Sequence, residues 1–371
     1  GNYENMTPGV LDADAFSYKL AATQNYIRWM ETTKGILIGT LGGEYRMKGG
    51  TDDPISPTNI NINSETDNGS AEIAPIRVKN TTLFVQKAGR KIIELVYSWE
   101  SEGFKDTDLT ILAEHLTIAG IKKIVYQQEP NSMIWGYDGN GNLIGITFNR
   151  KENVIGFHHH STDGIIEDIS VIPSSVFMED ELWAIIKRTI AGVEMRFIER
   201  MDIELNTDCA LTYVGVPVTT VSGLDHLIGE TVDIVGDGAV YPEQVVDIFG
   251  EVSLVDGPAA GASEIEVGLY YDSEIEILRP EIPVSGTSQG IPKSWIEVFV
   301  RLYESIGVNI AGEQLSFRTS DDLTGEGLPG FTGDKKVNKL GWDIDGRFKI
   351  RQEQPLPITV LSIFGTVDLG D

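Results

Sequence analysis

The sequence predicts a mainly β protein, with β-propeller blades followed by one or more smaller β-barrel or sandwich domains. Segments rich in Val, Ile, Tyr, Phe and Thr alternate with clusters of Gly, Asn and Asp along most of the chain, as strands alternate with turns. Three of these segments each contain two short strands around a turn, with the turn letters KAGR, DGNGN and TIAG. Residues that tolerate positive φ favour tight hairpins at such turns.

The predicted hairpins recur at a nearly constant interval. Their opening strands begin at Ile36, Leu83, Met133 and Leu182, so successive hairpins are 47, 50 and 49 residues apart. Each is preceded by an upstream strand, in YIRWMET, PIRVKN, IKKIVYQQ and IEDISVIPS. A unit of three or four strands that repeats about every 40–50 residues is typical of a β-propeller, in which each repeat forms one blade. We therefore assign residues 14–205 to blades, with a meander of coincidentally spaced hairpins as the alternative.

The other regions of the chain are also predicted to be largely β. Residues 1–13 form an N-terminal extension or a remnant of cloning. Residues 206–285 lack the repeat and contain short strands separated by glycines, which favours a small barrel or sandwich domain. Residues 286–371 form a C-terminal β domain that packs on the rest. The best helix candidate is 106–120, where Leu and Ile follow a helical spacing between an Asp or Thr start and a closing glycine.

The composition limits the functions that the chain can have. Its 371 residues include 56 acidic and 29 basic side chains, for a formal net charge of −27. This charge argues against a surface that binds nucleic acid by neutralising its phosphates. Cys209 is the only cysteine, so no internal disulfide can form. No apolar run approaches the roughly 18–20 residues of a membrane-spanning helix, so membrane insertion is not expected.

Three consecutive histidines, His158–His160, form the most conspicuous candidate site, because the chain has only five histidines. In a strand, His158 and His160 would lie on one face and His159 on the other. Two histidines at this spacing can bind a transition metal, but a stable site needs a third or fourth ligand. The remaining candidate ligands are far away in sequence: His115, His226 and Cys209. We assign no metal site and expect the triplet in or beside the outer strand of the third repeat.

One segment begins like a calcium-binding loop. In DGNGNLIGITFN, Asp138, Asn140 and Asn142 occupy alternate positions. An EF-hand requires Gly and Glu at the positions where Leu143 and Asn149 stand, so the motif is incomplete. A hairpin turn explains the same letters without an ion.

Two further segments are also best explained as turns. Asp343 and Asp345 of WDIDGR are most simply part of a turn between strands. The segment GTLGGEY contains three glycines, Gly39, Gly42 and Gly43. They match neither of the common phosphate-binding motifs, and no helix is predicted after them. No cofactor-binding residue is assigned.

No complete catalytic motif is present, and no catalytic residue is assigned. With 56 carboxylates, some acidic pair must lie close in space, so a glycosidase pair remains an alternative, since propellers also host glycosidases. Sugar-binding sites usually present Trp or Tyr at loop tips. Here the tryptophans fall mostly within predicted strands, where we expect them in blade cores: Trp29, Trp99, Trp135 and Trp183.

Five segments, in this order, resemble the tail nozzle family of short-tailed bacteriophages, also called tail tubular protein B or tail hub. The resemblance runs from about residue 14 to the C-terminus and is densest over 35–205. The segments begin with GILIGTLGGEYRMKGG and end with LGWDIDGRFKIRQEQPLPITVLSIFGTV; in full they are 35–50, 54–97, 108–164, 180–202 and 340–367. Members of the family are longer at the N-terminus. The resemblance also implies that the histidines belong to the protein rather than to an affinity tag.

The resemblance implies a structural virion protein without enzymatic activity or cofactor. It implies a homo-oligomeric ring of six copies that contacts other phage tail and adaptor proteins and extends the conduit for DNA ejection. Double-stranded DNA would pass without specific binding, and the protein would reside in the virion tail after synthesis in the cytoplasm of the bacterial host. Two alternatives stay open: a propeller that binds or hydrolyses glycans, and a propeller interaction scaffold unrelated to phage.

Overall fold

The computed structural model describes residues 6–12, 14–19, 25–50, 54–174, 178–255, 261–282, 287–318, 327–338 and 340–370. Of the predicted extension, residues 1–5 and 13 therefore lie outside the described residues. Strands account for 56% of the described residues and helix for 2%, which confirms the mainly β prediction. The chain divides into two compact units: unit 1 is Gly1–Lys187 with Arg196–Met201, and unit 2 is Arg188–Met195 with Asp202–Asp371.

The N-terminal part of the chain folds into four consecutive antiparallel meanders. In each meander, strands that are adjacent in sequence are adjacent in the sheet. Meander 1 contains β1 (Ile27–Thr33), β2 (Gly35–Thr40), β3 (Gly43–Lys48) and β4 (Asn61–Thr66), and meander 2 contains β5 (Ile76–Val78), β6 (Thr81–Val85), β7 (Ile92–Ser98) and β8 (Gly103–Asp108). Meander 3 contains β9 (Ile121–Gln127), β10 (Met133–Asp138), β11 (Leu143–Asn149) and β12 (Val154–His160), and meander 4 contains β13 (Ile165–Pro173), β14 (Asp180–Ile190) and β15 (Val193–Arg200).

The repeat predicted from the sequence matches these meanders. The four predicted hairpin openings fall in β2, β6, β10 and β14, which are the second strands of meanders 1 to 4. The predicted upstream strands are β1, β5, β9 and β13. The strand positions were predictable because alternating residues and intervening turn residues mark each hairpin locally.

In meanders 2 and 3, the turn between the second and third strands makes an equivalent contact with the next meander. Gly89 and Gly141 stand in these turns with φ of 76° and 83°, a conformation that favours glycine. The carbonyl of Gly89 accepts a hydrogen bond from the N–H of Ile121 at 2.7 Å, and the carbonyl of Gly141 accepts one from Ile166 at 3.1 Å. In both cases a turn after the second strand is joined to the beginning of the next meander.

Three hydrophobic clusters each join two consecutive meanders. The first contains Trp29 and Leu37 of meander 1 with residues of meander 2 such as Phe84. The second combines residues of meanders 2 and 3, and the third combines residues of meanders 3 and 4. Burial therefore ties each meander to its successor, as expected when a sheet with an apolar face must cover it with another sheet.

The predicted helix over 106–120 is wrong. Residues up to Asp108 belong to β8, which pairs with β7, and only a 3₁₀ turn, Glu114–Leu116, follows. The Asp108 carboxylate accepts hydrogen bonds from the N–H and hydroxyl of Thr110 and forms an ion pair with Lys91 at 2.7 Å. Pairing with β7 and this side-chain turn occupy the residues that would have started the helix, so tertiary contacts override the local helical spacing.

Besides Arg188–Met195, unit 2 contains the strands that follow meander 4 and, among the described residues, one further 3₁₀ turn, Asp225–Leu227. Its strands are β16 (Asp208–Val218), β17 (Thr220–Ser222), β18 (Thr231–Gly236), β19 (Ala239–Val245), β20 (Glu251–Ser253), β21 (Ala262–Leu269), β22 (Ser273–Glu276), β23 (Lys293–Ser305), β24 (Val308–Ile310), β25 (Glu313–Gln314), β26 (Phe331–Asn338), β27 (Trp342–Asp343), β28 (Lys349–Gln352) and β29 (Val360–Leu369).

These strands form open sheets. The sheet orders are β16-β21-β18-β19, β17-β20 and β22-β28-β24-β25, and in the last sheet β23 lies between β29 on one side and β26 and β27 on the other. Across the described part of the chain no sheet closes into a barrel, so the barrel version of the prediction is not found. β22 precedes residue 286 but pairs with β28, so the predicted boundary at 285/286 does not coincide with the edge of a sheet.

β23 shows why this segment forms a half-buried strand. Val298, Val300 and Leu302 are completely buried in a hydrophobic cluster of unit 2, whereas the intervening Phe299 and Arg301 lie on the opposite face. This alternation of completely buried and more exposed residues is the period-2 pattern of a strand with one covered face.

Candidate functional site

The histidine triplet lies in β12, the outer strand of meander 3, as the sequence predicted. His158 and His160 share one face, with His158 Nδ1 and His160 Nε2 2.8 Å apart, and His159 is exposed. The distance corresponds to one N–H···N hydrogen bond, in which one imidazole donates and the other accepts. The pair therefore requires at least one neutral imidazole.

Trp135 forms the floor beneath this pair. Its indole lies 5.8 Å from the ring of His158 and 5.4 Å from that of His160, measured between ring centroids. Trp135, Gly145 and His158 are directly opposite one another on β10, β11 and β12. A Cβ on Gly145 would lie 2.1 Å from Cε1 of His158, so the glycine provides the space that the imidazole occupies.

Burial keeps both histidines neutral. It lowers the pKa of His158, with a smaller contribution from His159, and lowers the pKa of His160 to about 4. A half-buried imidazole packed against an indole cannot be fully hydrated, which disfavours its charged form. A second imidazolium nearby would add repulsion. At neutral pH the two rings therefore act as a hydrogen-bonded, uncharged pair.

The other candidate metal ligands do not join this pair. His115 lies in the 3₁₀ turn Glu114–Leu116, and His226 bonds through Nε2 to the carbonyl of Cys209 at 3.2 Å. Among the described residues, no group of three or more His, Cys, Asp or Glu side chains is placed to hold a metal ion. His158 and His160 thus supply two nitrogens, fewer than a structural transition-metal site requires.

Asp138 organises the turn between β10 and β11. Its carboxylate accepts hydrogen bonds from the N–H groups of Asn140 and Asn142, both at 2.9 Å, and from the Asn142 amide at 3.2 Å. The oxygens that an EF-hand would direct at calcium are directed here at the backbone of the turn. The interpretation of this segment as a hairpin turn is confirmed.

Asp343 has a similar role after β27. Its carboxylate accepts hydrogen bonds from the N–H groups of Asp345 at 3.0 Å and Gly346 at 2.7 Å. Gly39 lies in β2, where an added Cβ would come 2.1 Å from the ring of Trp29, and Gly42 and Gly43 belong to the β2–β3 turn and the start of β3. These glycines serve strand packing and the hairpin.

The four tryptophans expected in blade cores do not share one environment. Trp29 and Trp135 are buried in clusters between meanders, as predicted. Trp183 is only half-buried, and Trp99 is 74% exposed in the turn after β7, so the prediction that it lies in a blade core is wrong. The ammonium of Lys34 lies 3.5 Å from the Trp99 ring centroid, and Tyr97 meets the same ring edge-on at 5.4 Å.

Two buried carboxylates have a raised pKa, which is a common property of catalytic acids. Glu44 is completely buried and accepts hydrogen bonds from the hydroxyls of Thr66 and Ser70; burial is the main cause of its raised pKa. Asp233 in β18 is 7% exposed and borders a surface cleft together with Glu243. Sequence reasoning missed both; the signal for Asp233 was a single acid inside the apolar strand TVDIVG.

Comparisons with known proteins leave the function to be argued from the residues. No protein-family model matches the chain, and no curated protein matches it.

The two helical elements in the described residues are single 3₁₀ turns, and no described helix is long and apolar enough to cross a membrane.

Proposed function

We propose that the protein is a structural component of a phage or prophage tail, a nozzle or hub subunit whose six-copy ring forms part of the DNA ejection conduit. The observation that carries the proposal is the series of meanders in the region where the sequence resemblance is densest. In this proposal the protein has no catalytic turnover, is assembled into the virion tail after synthesis in the host cytoplasm, and contacts other tail and adaptor proteins.

The meanders support an interpretation as propeller blades. Their second strands begin at intervals close to 50 residues, the length that the predicted repeat requires. The clusters between meanders 1 and 2, 2 and 3, and 3 and 4 are what successive blades need, since each blade covers its faces with its neighbours. We propose that meanders 1 to 4 are consecutive blades.

The sheet of β23 offers a surface for joining subunits. Phe299 of β23 and Phe364 of β29 lie side by side on its open face, with ring centroids 5.4 Å apart and an interplanar angle of 9°. Arg301 pairs with Asp334 at 2.7 Å and Lys336 with Glu297 at 2.6 Å, so the aromatic pair is framed by neutralised charges. An aromatic centre with a polar rim is the usual anatomy of a protein interface.

The two edges of this sheet differ in how they resist pairing. β26 carries Asp334, Lys335 and Lys336 in succession, and such charges protect an edge strand from other strands. β29 carries no charge between residues 360 and 367, and within the described residues it pairs with β23 alone. For a chain of charge −27, an uncharged edge is where another copy meets the least repulsion.

Electron microscopy of the purified chain tests the proposed function. We expect ring-shaped particles with six-fold symmetry. Thr366→Lys places a charge on β29 beside Glu297 and should reduce ring formation, whereas Asn338→Lys places one beside the same Glu297 on β26 and should not. Monomeric particles at all concentrations, or particles of another symmetry, would contradict the proposal.

One observation favours a second candidate function, glycan binding. Trp99 and Tyr97 present an aromatic group at a turn, and Lys34, Glu100 and Glu102 supply polar groups nearby. Exposed aromatic rings with polar neighbours can stack on sugar rings. Tryptophan fluorescence during saccharide titration tests this candidate: a saturable change that Trp99→Ala abolishes would support it, and identical signals from both proteins would exclude Trp99 as the sugar platform.

A further inference from the structure

An acidic cleft in unit 2 lies apart from every residue used above for the proposed function. It has a volume of about 440 Å³ and is bordered by β18 and β19 and by residues that follow β28. Three carboxylates line it: Asp233, Glu243 and Glu353. Tyr241 adds a buried aromatic side chain at the same place.

Asp233 differs from the other buried carboxylates because it has no partner among the described residues. Glu94 is held by the guanidinium of Arg150, whose Nε donates at 3.0 Å, and Glu44 accepts from two hydroxyls. Asp233 retains only 7% of its full exposure. No described residue donates a hydrogen bond to its carboxylate. A largely buried carboxylate that receives no donor from the protein must find its donors in whatever occupies the cleft.

The charges around Asp233 also favour a positively charged ligand. Burial raises the pKa of its carboxyl, and repulsion by Glu243 raises it further, with no cation opposing the shift. The Arg351 guanidinium lies 3.8 Å from Glu353 but is engaged with Glu274 at 2.5 Å. The cleft therefore combines negative charge with a carboxylate, Asp233, that receives no hydrogen bond from the described residues.

We propose that this cleft binds a protonated amine or guanidinium group, with Asp233 as its principal anchor and Glu243 and Glu353 as further acceptors. Such a group supplies both missing properties, positive charge and several N–H donors. The carboxylates are not grouped as a metal site requires, at least among the residues described. The cation can belong to an arginine or lysine side chain of a partner protein or to a free polyamine.

Calorimetric titration of the purified chain with N-acetyl-arginine amide and with spermidine tests the proposal. We expect one saturable site that is about tenfold weaker in Asp233→Asn, because a neutral amide loses the charge-assisted bond. Glu264→Gln removes one charge at an exposed position on β21, outside the cleft, and should bind like the unmodified chain. Preference for the arginine derivative would identify a protein side chain as the ligand, and preference for spermidine would identify a polyamine.

The result does not depend on the proposed function, because ring formation is measured separately by microscopy. Equal affinities of Asp233→Asn and the unmodified chain would overturn the proposal, since binding would then be diffuse attraction to an acidic surface. Tight binding of calcium alone would also overturn it. Circular dichroism checks that Asp233→Asn is folded, and Glu243→Gln, at an exposed position of the same cleft, tests the site if it is not.

Discussion

His158 and His160 share a single hydrogen bond of 2.8 Å between their ring nitrogens, on the floor provided by the Trp135 indole. The bond exists only while at least one ring is neutral, because two imidazolium groups have no lone pair to offer. Protonation of both rings would place two positive charges in contact in a half-buried position. The outer strand of meander 3 thus contains an interaction that acid removes.

Acid should therefore destabilise the protein through this pair. The folded-state pKa of His160, about 4, lies below its ordinary value of 6.5, so the unfolded chain binds more protons at intermediate pH. Stability from His160 should be complete above about pH 6.5 and should fall as the pH approaches 4, by roughly 3 kcal/mol. Thermal melting between pH 7.5 and pH 4, in steps of about half a unit, measures the fall.

His160→Gln provides the control for this pH dependence. Glutamine keeps a polar side chain beside Trp135 but does not titrate, so the variant should lose less stability between pH 6.5 and pH 4 than the unmodified chain. Carboxylates that titrate in the same range affect both proteins alike. Parallel melting curves for the two proteins would show that the pair does not sense pH.

Gly145 should be required for the same arrangement. Gly145→Ala puts a Cβ 2.1 Å from the His158 ring, so the imidazole must leave Trp135, at a cost of about 1–3 kcal/mol. Gly156→Ala, in β12 of the same sheet, meets nothing within 4 Å and should be nearly neutral. Chemical denaturation of both variants measures the difference; equal stabilities would mean that the ring is free to move.

The repeat and the side-chain contacts differ in how far they could be predicted. Alternation and turn residues are local, so the second strands of all four meanders and the turns at Gly89 and Gly141 could be located from the sequence. The helix prediction failed because the spacing of Leu and Ile over 106–120 says nothing about the pairing of β8 with β7. Local propensity is a weak guide where a neighbouring strand offers hydrogen bonds.

The candidate sites depended more on long-range packing. The sequence indicated which histidines share a face, but their contact with Trp135 depends on the register of β10, β11 and β12. The exposure of Trp99 depends on the position at which β7 ends, a detail that alternation does not determine. The isolation of Asp233 could not be predicted at all, because the absence of a donor is a property of the packed structure.

Lys293 should be among the most sensitive positions in unit 2. Its side chain is completely buried, and its ammonium donates to the carbonyls of Ser288, Ile291 and Ile344 at 2.8, 3.2 and 3.3 Å. Lys293→Met keeps the length of the side chain but leaves three carbonyls without this donor, so we expect a loss of about 2–4 kcal/mol.

Lys336→Met is the matched control. Lys336 is also in the sheet of β23, but its side chain is 43% exposed and its partner Glu297 is partly exposed, so the loss should be below about 1 kcal/mol. Denaturant unfolding of both variants under the same conditions compares them. A smaller effect at Lys293 than at Lys336 would contradict the role given to the buried ammonium.

The acidic charge of the chain also predicts how a ring would treat DNA. A wall of free lysines and arginines would release counterions, bind many phosphates and slow passage. This chain has a net charge of −27, and many of its guanidinium groups are held by carboxylates, such as Arg150 by Glu94 and Arg301 by Asp334. These pairs reduce the number of cations available to phosphates, and repulsion by the carboxylates extends only about 8 Å at physiological salt.

We therefore expect no measurable affinity for double-stranded DNA at physiological salt, either from the purified chain or from assembled rings. Fluorescence anisotropy of a labelled duplex, titrated at two salt concentrations, measures this directly. Weak binding at low salt alone would agree with the expectation, because screening limits long-range forces to dilute buffers. Tight binding that weakens steeply with salt would instead reveal a concentrated basic surface within the acidic average. In that case the conduit would hold DNA through its phosphates, and the idea of a wall that DNA passes without binding would have to be abandoned.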